Sequence, residues 1–387
     1  MEPKVLKRRR LIQVMAGAGL LRRSGASPAQ SRGLGTDYDV IVIGAGVAGL
    51  VAAQRLASLD GEVKVLVLEA RDRIGGRVYS QPRSDLRRDP ELGALFLPPS
   101  AAAWPPVERY GLKVETLAEG RHSLFPSMTA LVDSIATASA GTVQLNSEVT
   151  QVYWRGGLVG VNYRNRGVEG AVTARRLIIT IPPPVLARGQ VGFSPALPPG
   201  KVAAFQRVTG SADLSLAAVI APSAATLRND RQHWLREDDG RTLRAFRTGK
   251  NGEVLLEAQY RGTRASVLAD QNPATVQALF LREFADALDA VPDRGEAMWQ
   301  AAVDWARDPF SGGARLSLAG AGTASDLAAS LFDTLFFAGD ATEALESVPD
   351  LATAYASGER VADEVARSLD LAGDGPDVEA PILKPIL

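Results

Sequence analysis

The chain has 387 residues, enough for two domains or for one domain carrying a large insertion, and its 46% hydrophobic and 22% charged residues are ordinary for a globular protein. A formal net charge of -1 leaves no basic excess for neutralising phosphates, which argues against nucleic acid as the main partner. There is no cysteine, and His122 and His233 are the only histidines, so disulfides, thiol nucleophiles and a metal cluster are not expected. Demanding chemistry would have to come from a cofactor.

Residues 1–35 do not read as fold. Lys4, Lys7, Arg8, Arg9 and Arg10 precede a modest apolar run, Leu11 to Leu21, and Ser27-Pro28-Ala29 could be cleaved. That order is the order of a signal peptide, and RRRLIQ is similar to a twin-arginine export signal. An organellar transit peptide and a disordered basic arm stay open, and without a signal the protein would be cytoplasmic. No stretch reaches the ~18 to 20 apolar residues of a spanning helix, so no stable membrane span is expected.

Asp37 to Ser80 is the informative stretch. Val40 to Ile43 is a short β-branched run, read as a buried strand. Gly44, Gly46 and Gly49 follow as G-x-G-x-x-G: the first allows a tight turn, the second admits a pyrophosphate, the third lets helix pack on strand. Val47 to Leu59 reads as that helix, with Ala48 in its first turn and a positive dipole end for phosphates. A second strand, Val63 to Leu68, ends on Glu69, 20 residues past Gly49, where a carboxylate accepts from a ribose 2′-hydroxyl. Strand, glycines, helix, strand and acid in this order make a dinucleotide site. Arg71, Arg73, Gly75, Gly76 and Arg77 come next, a second backbone-plus-cation anion site suited to a dinucleotide lying extended.

Through EARDRIGGRVYS, and again at ELGALF (Glu91 to Phe96), the chain resembles the flavin-containing amine oxidase family, which includes monoamine, polyamine and L-amino-acid oxidases. The resemblance implies FAD, with Ala70, Gly93, Ala94 and Leu95 beside Glu69, Arg71, Gly76 and Arg77 in its site.

Arg83 to Arg121 shows little periodicity beyond ELGALF, and Phe125 to Ala140 reads as a helix with Leu131, Ile135 and Ala138 on one face. Only about 50 residues separate Phe96 from Val149, so the long helical cap of the resembled family is expected to be reduced. Val143 to Tyr163 reads as strands around a Gly156-Gly157 turn, and the resemblance puts Val149 beside the adenine. ARRLIITIPPPVL (Ala174 to Leu186) is a buried strand entering three prolines, similar to the family's crossover into its substrate domain. The register of LPPGKVAAFQRVTG sets Ser215 where the family usually carries a lysine that holds a water against the flavin, and Lys201 is read as a solvated surface residue. Trp234 to Tyr260 reads as two or three strands. Pro273 to Val291 reads as an amphipathic helix with Asn272 as N-cap and Val276, Phe280, Phe284 and Leu288 buried.

WARDPFSGG (Trp305 to Gly313) resembles the family's return to the flavin, with Trp305 read either as a site residue or as a core anchor. Ala314 stands where some members bind flavin through a cysteine, so non-covalent FAD is expected. Arg315 and Asp350 stand where the family places aromatic walls; Asp350 is read equally as a helix-initiating residue. LFFAG (Leu335 to Gly339) reads as a strand and tight turn, and the resemblance puts Asp340 on the ribityl chain. A helix is read from Thr353 onward, with Val361, Val365 and Leu369 at four-residue spacing. Its N-terminus, near Leu351 and Ala352, would face the flavin where negative charge grows on reduction.

The expectation is an α/β protein: a Rossmann-like, glutathione-reductase-type FAD domain (36–100, 122–152 and 315–372), with a mixed antiparallel-sheet-plus-helix substrate domain (153–314) and a tail from 373. The resemblance implies oxidation of an amine or amino acid by hydride transfer to flavin, the donor carbon held within ~3 to 3.5 Å, with O2 as acceptor and H2O2 as product. An Arg and an Asp at the rim would suit a zwitterion or a polar donor, Arg315 taking a carboxylate bidentately. A flavin desaturase or dehydrogenase acting on a non-amine substrate, and a flavin-binding protein with little turnover, are the alternatives; oligomeric state is not readable.

Overall fold

The computed structural model describes residues 35–59, 62–98, 104–117, 120–139, 141–221, 233–238, 240–249, 252–288, 297–343 and 350–371. The expected leader over 1–34 and the tail from 373 lie outside the described residues.

The first sheet grows from β1 (Tyr38–Ile43), whose apolar β-branched run is buried on both faces as a central parallel strand requires. Parallel to it lie β2 (Val65–Leu68), which starts two residues later than expected, and beyond that β5 (Thr142–Gln144). On the other side comes the long β8 (Val168–Ile179), whose two ends take different neighbours. Its first half pairs antiparallel with β7 (Leu158–Asn165) and its last residues pair parallel with β17 (Leu335–Phe337). β6 (Ser147–Arg155) and β9 (Gly192–Ser194) complete the sheet, and β10 (Val208–Gly210) and β16 (Leu316–Leu318) form a separate antiparallel pair. The expected boundary at 152/153 therefore falls inside β6, and the strands up to Ile179 go with the first sheet rather than the second. The turn at Gly156-Gly157 closes a continuous hairpin, so the chain does not leave the sheet there.

Period-two alternation sends Val40 and Val42 to one face and Ile41 and Ile43 to the other. The first face packs the helices Val47–Leu59, Thr129–Thr137 and Leu351–Ser368. The last of these crosses the first at Gly358, where a Cβ would lie 2.5 Å from the Ala48 carbonyl. Helix Thr129–Thr137 is shorter than its expected span; Leu131, Val132 and Ile135 are buried, while Ala138 is the C-cap and is exposed. The stretch without periodicity holds a short helix, Pro105–Arg109, and a small hairpin of β3 (Lys113–Thr116) and β4 (His122–Phe125), which stand where a longer cap was absent from the sequence.

The second sheet is antiparallel, in the order β12 (His233–Asp238), β13 (Arg241–Arg247), β14 (Val254–Arg261), β11 (Asp213–Ile220), β15 (Trp299–Asp304). In β14, Val254, Leu256, Ala258 and Tyr260 face helices Gly262–Ala269 and Pro273–Leu288. Asn272 caps the second of these through Ala274 N–H at 2.8 Å, and Val276, Phe280 and Phe284 are buried as expected, with Leu288 half-buried. The alternate residues of β14, Leu255, Glu257, Gln259 and Arg261, turn to the first half of the molecule.

Candidate functional site

A cavity of about 630 Å³ runs from the loop after β1 to the face of the second sheet. At one end it is walled by backbone. Gly44 sits at φ +103°, and a Cβ on Gly49 would stand 2.0 Å from the Gly44 carbonyl oxygen, so both positions demand glycine for packing alone. Gly46 is different. A Cβ there meets no protein atom within 4 Å, and Gly46 lines the cavity. Its missing side chain leaves room that the protein does not fill, which is what close approach of a pyrophosphate to backbone requires. Gly75 N–H donates to the Ala45 carbonyl at 2.8 Å, and this bridge docks the second glycine pair on the first loop. Gly76 joins the same lining.

Glu69 is buried at the end of β2. Its carboxylate accepts from Ala45 N–H at 2.7 Å and Arg71 N–H at 2.8 Å, which aims it across the loop and onto the cavity. Arg71 pairs with Asp308 and lies over the Phe310 ring. Arg77 donates to Asp340 at 2.7 Å and to the Ala314 carbonyl at 3.0 Å, so one guanidinium ties the N-terminal glycine motif to both late landmarks. At Leu351 the last helix meets the cavity. Asp350 and Thr353 form a reciprocal cap, Thr353 N–H donating to the Asp350 carboxylate at 3.0 Å. The first-turn N–H groups of Leu351 and Ala352 have no intrahelical acceptor.

Of the residues expected to hold the cofactor, Gly44, Gly46, Ala48, Glu69, Ala70, Arg71, Gly76, Arg77, Gly93, Ala94, Leu95, Val149, Gly339, Asp340 and Leu351 line this one cavity. Gly49 does not; it is a packing glycine under the loop. Ala352 also lies outside the lining. These residues fit an extended dinucleotide: a backbone cradle, a carboxylate at the strand end, a second glycine pair and a helix N-terminus face one space.

The residues proposed for chemistry divide. Trp305, Arg315 and Asp350 line the cavity, but Ser215 does not. Ser215 is buried in β11, opposite Gln259 of β14, and its Oγ has no hydrogen-bond partner among the described residues. Trp305 is a buried anchor whose Nε1 donates to the Leu92 carbonyl at 2.8 Å, so the core reading describes its side chain. Asp350 spends its carboxylate on the helix cap. Arg315 donates to Asp213 at 2.7 Å, so its fork is already engaged. Lys201 corrects its expectation outright. It is buried, donates through Nζ to the carbonyls of Asp326, Leu327 and Ala329, and lies over the Phe337 ring; burial pulls it down to about 8.

Sequence reasoning missed Asp213, Gln259 and Arg261, which form the second sheet's wall, and Arg121 and Phe310 beside them. A signal was present: in VLLEAQYR, Glu257, Gln259 and Arg261 recur every second residue in an otherwise apolar strand, the mark of a polar face turned to a site.

Behind the wall is a buried cross-tie. Glu91 N–H donates to Glu257 at 2.5 Å, and Arg244 donates twice to Glu257 and to the Leu95 carbonyl at 2.7 Å. Glu91 in turn accepts from Met128 N–H at 2.7 Å and meets the Ser80 hydroxyl at 2.5 Å. All three charged groups are almost fully buried, with one cation for two acids. Burial, and then the neighbouring Glu257, push the Glu91 carboxyl up to about 8 against the pull of Arg244.

Among the described residues no group of acidic or histidine side chains could hold a metal ion, and no helix is long and apolar enough to cross a membrane. A family model described as flavin containing amine oxidoreductase matches residues 109–366, and one described as NAD(P)-binding Rossmann-like domain matches 42–107. The chain is 37% identical over 126 residues to "Lysine-specific histone demethylase 1 homolog 2" of Arabidopsis thaliana, a match covering 30% of this chain and 16% of that protein. It is 63% identical over 43 residues to "Amine oxidase [flavin-containing] A" of Canis lupus familiaris, covering 11% and 8%. These matches span less than a fifth of either relative. The solved structure of cyclohexylamine oxidase from Brevibacterium oxydans IH-35A superposes with a TM-score of 0.71 at 16% identity, over 86% of this chain and 100% of that one.

Proposed function

We propose, for a chain that belongs to the flavin containing amine oxidoreductase family, that it is an FAD-dependent oxidoreductase acting on the C–N bond of a small amine. The observation that carries this reading is one continuous cavity, with a dinucleotide cradle at one end and a charged, side-chain wall at the other. FAD held by this cavity would supply the two-electron oxidant that converts an amine to an imine, with O2 taking the two electrons and two protons as H2O2.

The chain's own residues have separable tasks. The loop around Gly46 and the Gly75-Gly76 pair hold the pyrophosphate by backbone, and Glu69 takes the ribose. Arg77 fixes Asp340 for the ribityl chain. The Leu351 helix end places N–H donors and a positive dipole where charge grows on reduction. With no cysteine in the chain and alanine at 314, the cofactor is held without a covalent bond. On the opposite wall Asp213 offers a carboxylate to the amine nitrogen, while burial raises its affinity for a proton in spite of Arg315. Export of the folded protein by the basic leader belongs to the same proposal.

The test is the flavin absorbance of the purified protein, followed anaerobically during addition of amines, amino acids and polyamines. Bleaching by one donor class, reversed by air with H2O2 release, supports the reading. Bleaching that air does not reverse replaces O2 by another acceptor. Ser215, placed outside the cavity lining, favours one second reading: a flavin-binding protein with little turnover, shown by a flavin that dithionite bleaches and no donor does.

A further inference from the structure

We infer that the wall formed by the second sheet selects a donor that carries a carboxylate in addition to its amine, and that Arg261 rather than Arg315 receives that carboxylate. This rests on the amine reading and narrows it.

Three guanidinium groups line this end of the cavity: Arg121, Arg261 and Arg315. Two acids answer them. Asp213, buried on the same wall, is taken by Arg315 at 2.7 Å. Glu237 stands behind the lining, 3.4 Å from Arg121 and 3.7 Å from Arg261, and accepts from the Thr242 hydroxyl. Three cations against two acids leave one positive charge uncompensated on the wall. The acids elsewhere in the lining do not balance it. Glu69 is held by two backbone N–H groups, Asp340 by Arg77, Asp350 by its own helix, and Glu148 faces Arg164 at 3.9 Å.

The surplus has an address. Arg261 spends one Nη on Thr242 Oγ1 at 2.6 Å, but its Nε is buried with no hydrogen-bond partner among the described residues. The Nε of Arg121 differs: it lies 3.4 Å from Glu237 without a formal hydrogen bond, and its guanidinium stacks 4.1 Å over Phe96. A buried, unpaired N–H of a cation costs free energy that an incoming anion recovers. Burial first, and then the charge of Arg315, lower the Arg261 pKa against the opposing pull of Glu237 and Asp213. A carboxylate matches a guanidinium edge with two parallel bonds.

Register supplies the second half of the match. Asp213 and Arg261 are directly opposed across β11 and β14, and opposed residues keep their Cβ atoms roughly 5 Å apart. Neighbouring positions thus present Asp213, whose oxygens also accept from Arg315 and the Ser211 hydroxyl, for an ammonium and Arg261 for a carboxylate, the charge pattern of a zwitterionic amino acid. A diamine or polyamine would bring a second cation to a wall already carrying a positive excess.

The experiment is calorimetric titration of the flavin-loaded protein with two probes whose amine-bearing carbon has no hydrogen to lose: 2-aminoisobutyrate and tert-butylamine. They differ by a carboxylate in place of a methyl. The expected result is that 2-aminoisobutyrate binds at least about tenfold more tightly, and that Arg261→Gln brings the ratio near one while Arg315→Ala reduces it less. Equal or tighter binding of tert-butylamine, binding of neither probe, or a ratio that survives Arg261→Gln overturns the inference. The wild-type comparison stands if the variant fails to fold. Anaerobic bleaching separates the two levels: reduction by plain amines together with preference for tert-butylamine sinks the carboxylate inference and keeps the amine reading. A flavin that no amine bleaches, with or without a carboxylate, sinks the amine reading whatever the probes do.

Discussion

The two ends of the cavity are built by different means. The cradle comes from one stretch, Gly44 to Arg77, and its dimensions are set by backbone: a carbonyl where a Cβ cannot go, an open space at Gly46, a bridge from Gly75. The opposite wall is assembled from Arg121, Asp213, Gln259, Arg261 and Arg315, side chains on separate strands and loops that meet only after folding. Hard-sphere contact leaves a backbone site almost no latitude. A side-chain wall can exchange one charge for another and keep its sheet. Two departures from the resembled family, Ser215 and Arg315, fall on or near the second end, while Asp350 caps the helix that reaches the cradle side.

The sharpest way to break this contrast is to place one methyl group on each of two glycines. Gly49→Ala puts a carbon 2.0 Å from a backbone oxygen, and the expected outcome is loss of flavin together with a stability cost of about 3 kcal/mol or more. Gly46→Ala meets no protein atom. Its expected outcome is near-normal unfolding of the flavin-free protein but a cofactor content reduced by about tenfold or more. Denaturant unfolding and the flavin-to-protein absorbance ratio read both. If Gly46→Ala retains full flavin, the open space at that residue is not the cofactor's.

Arg77 is next in size. Removing it leaves Asp340 buried without its partner at 2.7 Å, so Arg77→Ala is expected to weaken flavin retention and to cost roughly 2 kcal/mol. Arg77→Ala/Asp340→Asn should recover part of the stability without restoring affinity. Full recovery of both would make the pair a structural tie only.

The cross-tie joins the two ends and carries a pH signature. Unfolded, the Glu91 carboxyl ionises near 4.5; folded, it holds its proton to about 8. Between those values the folded protein binds more protons than the unfolded chain. This group's contribution therefore stabilises fully below pH 4.5 and is lost as pH rises through the window to 8, by at most about 1.4 kcal/mol per pH unit. Glu91→Gln keeps the shape and removes the proton, and the unfolding free energy from pH 6 to 8 should lose that downward slope. An unchanged slope would assign the proton uptake to another group.

How much of this was legible follows the same division. Gly44, Gly46, Glu69 and the helix Val47–Leu59 could be read because the cradle's physics is local: spacing and backbone freedom are written in consecutive residues. Val361 and Val365 were readable from periodicity for the same reason. Lys201 was not, since nothing nearby announces three carbonyls from residues 326–329 or the ring of Phe337. The boundary at 152/153 fell inside β6 because partner identity in a β-ladder is non-local. Arg261 lay in view as the third member of an alternating polar stripe, but its opposition to Asp213 is a matter of register across 48 residues of chain.

Ser215 gives the smallest expected effect and the finest test of where the wall ends. Its hydroxyl is buried and without a partner among the described residues, and its neighbour across the ladder, Gln259, holds the lining position. Deleting an unpaired buried hydroxyl removes a desolvation penalty and leaves a void of only one atom. Ser215→Ala should therefore match the wild type in stability or exceed it by up to about 1 kcal/mol, with the rate of flavin reduction by its best donor within roughly threefold. A loss of about a hundredfold in that rate, at unchanged stability, would mean that Ser215 acts on the donor. The wall would then reach one residue deeper into β11 than its lining shows, and Gln259 would be a cover over the reacting position rather than its boundary.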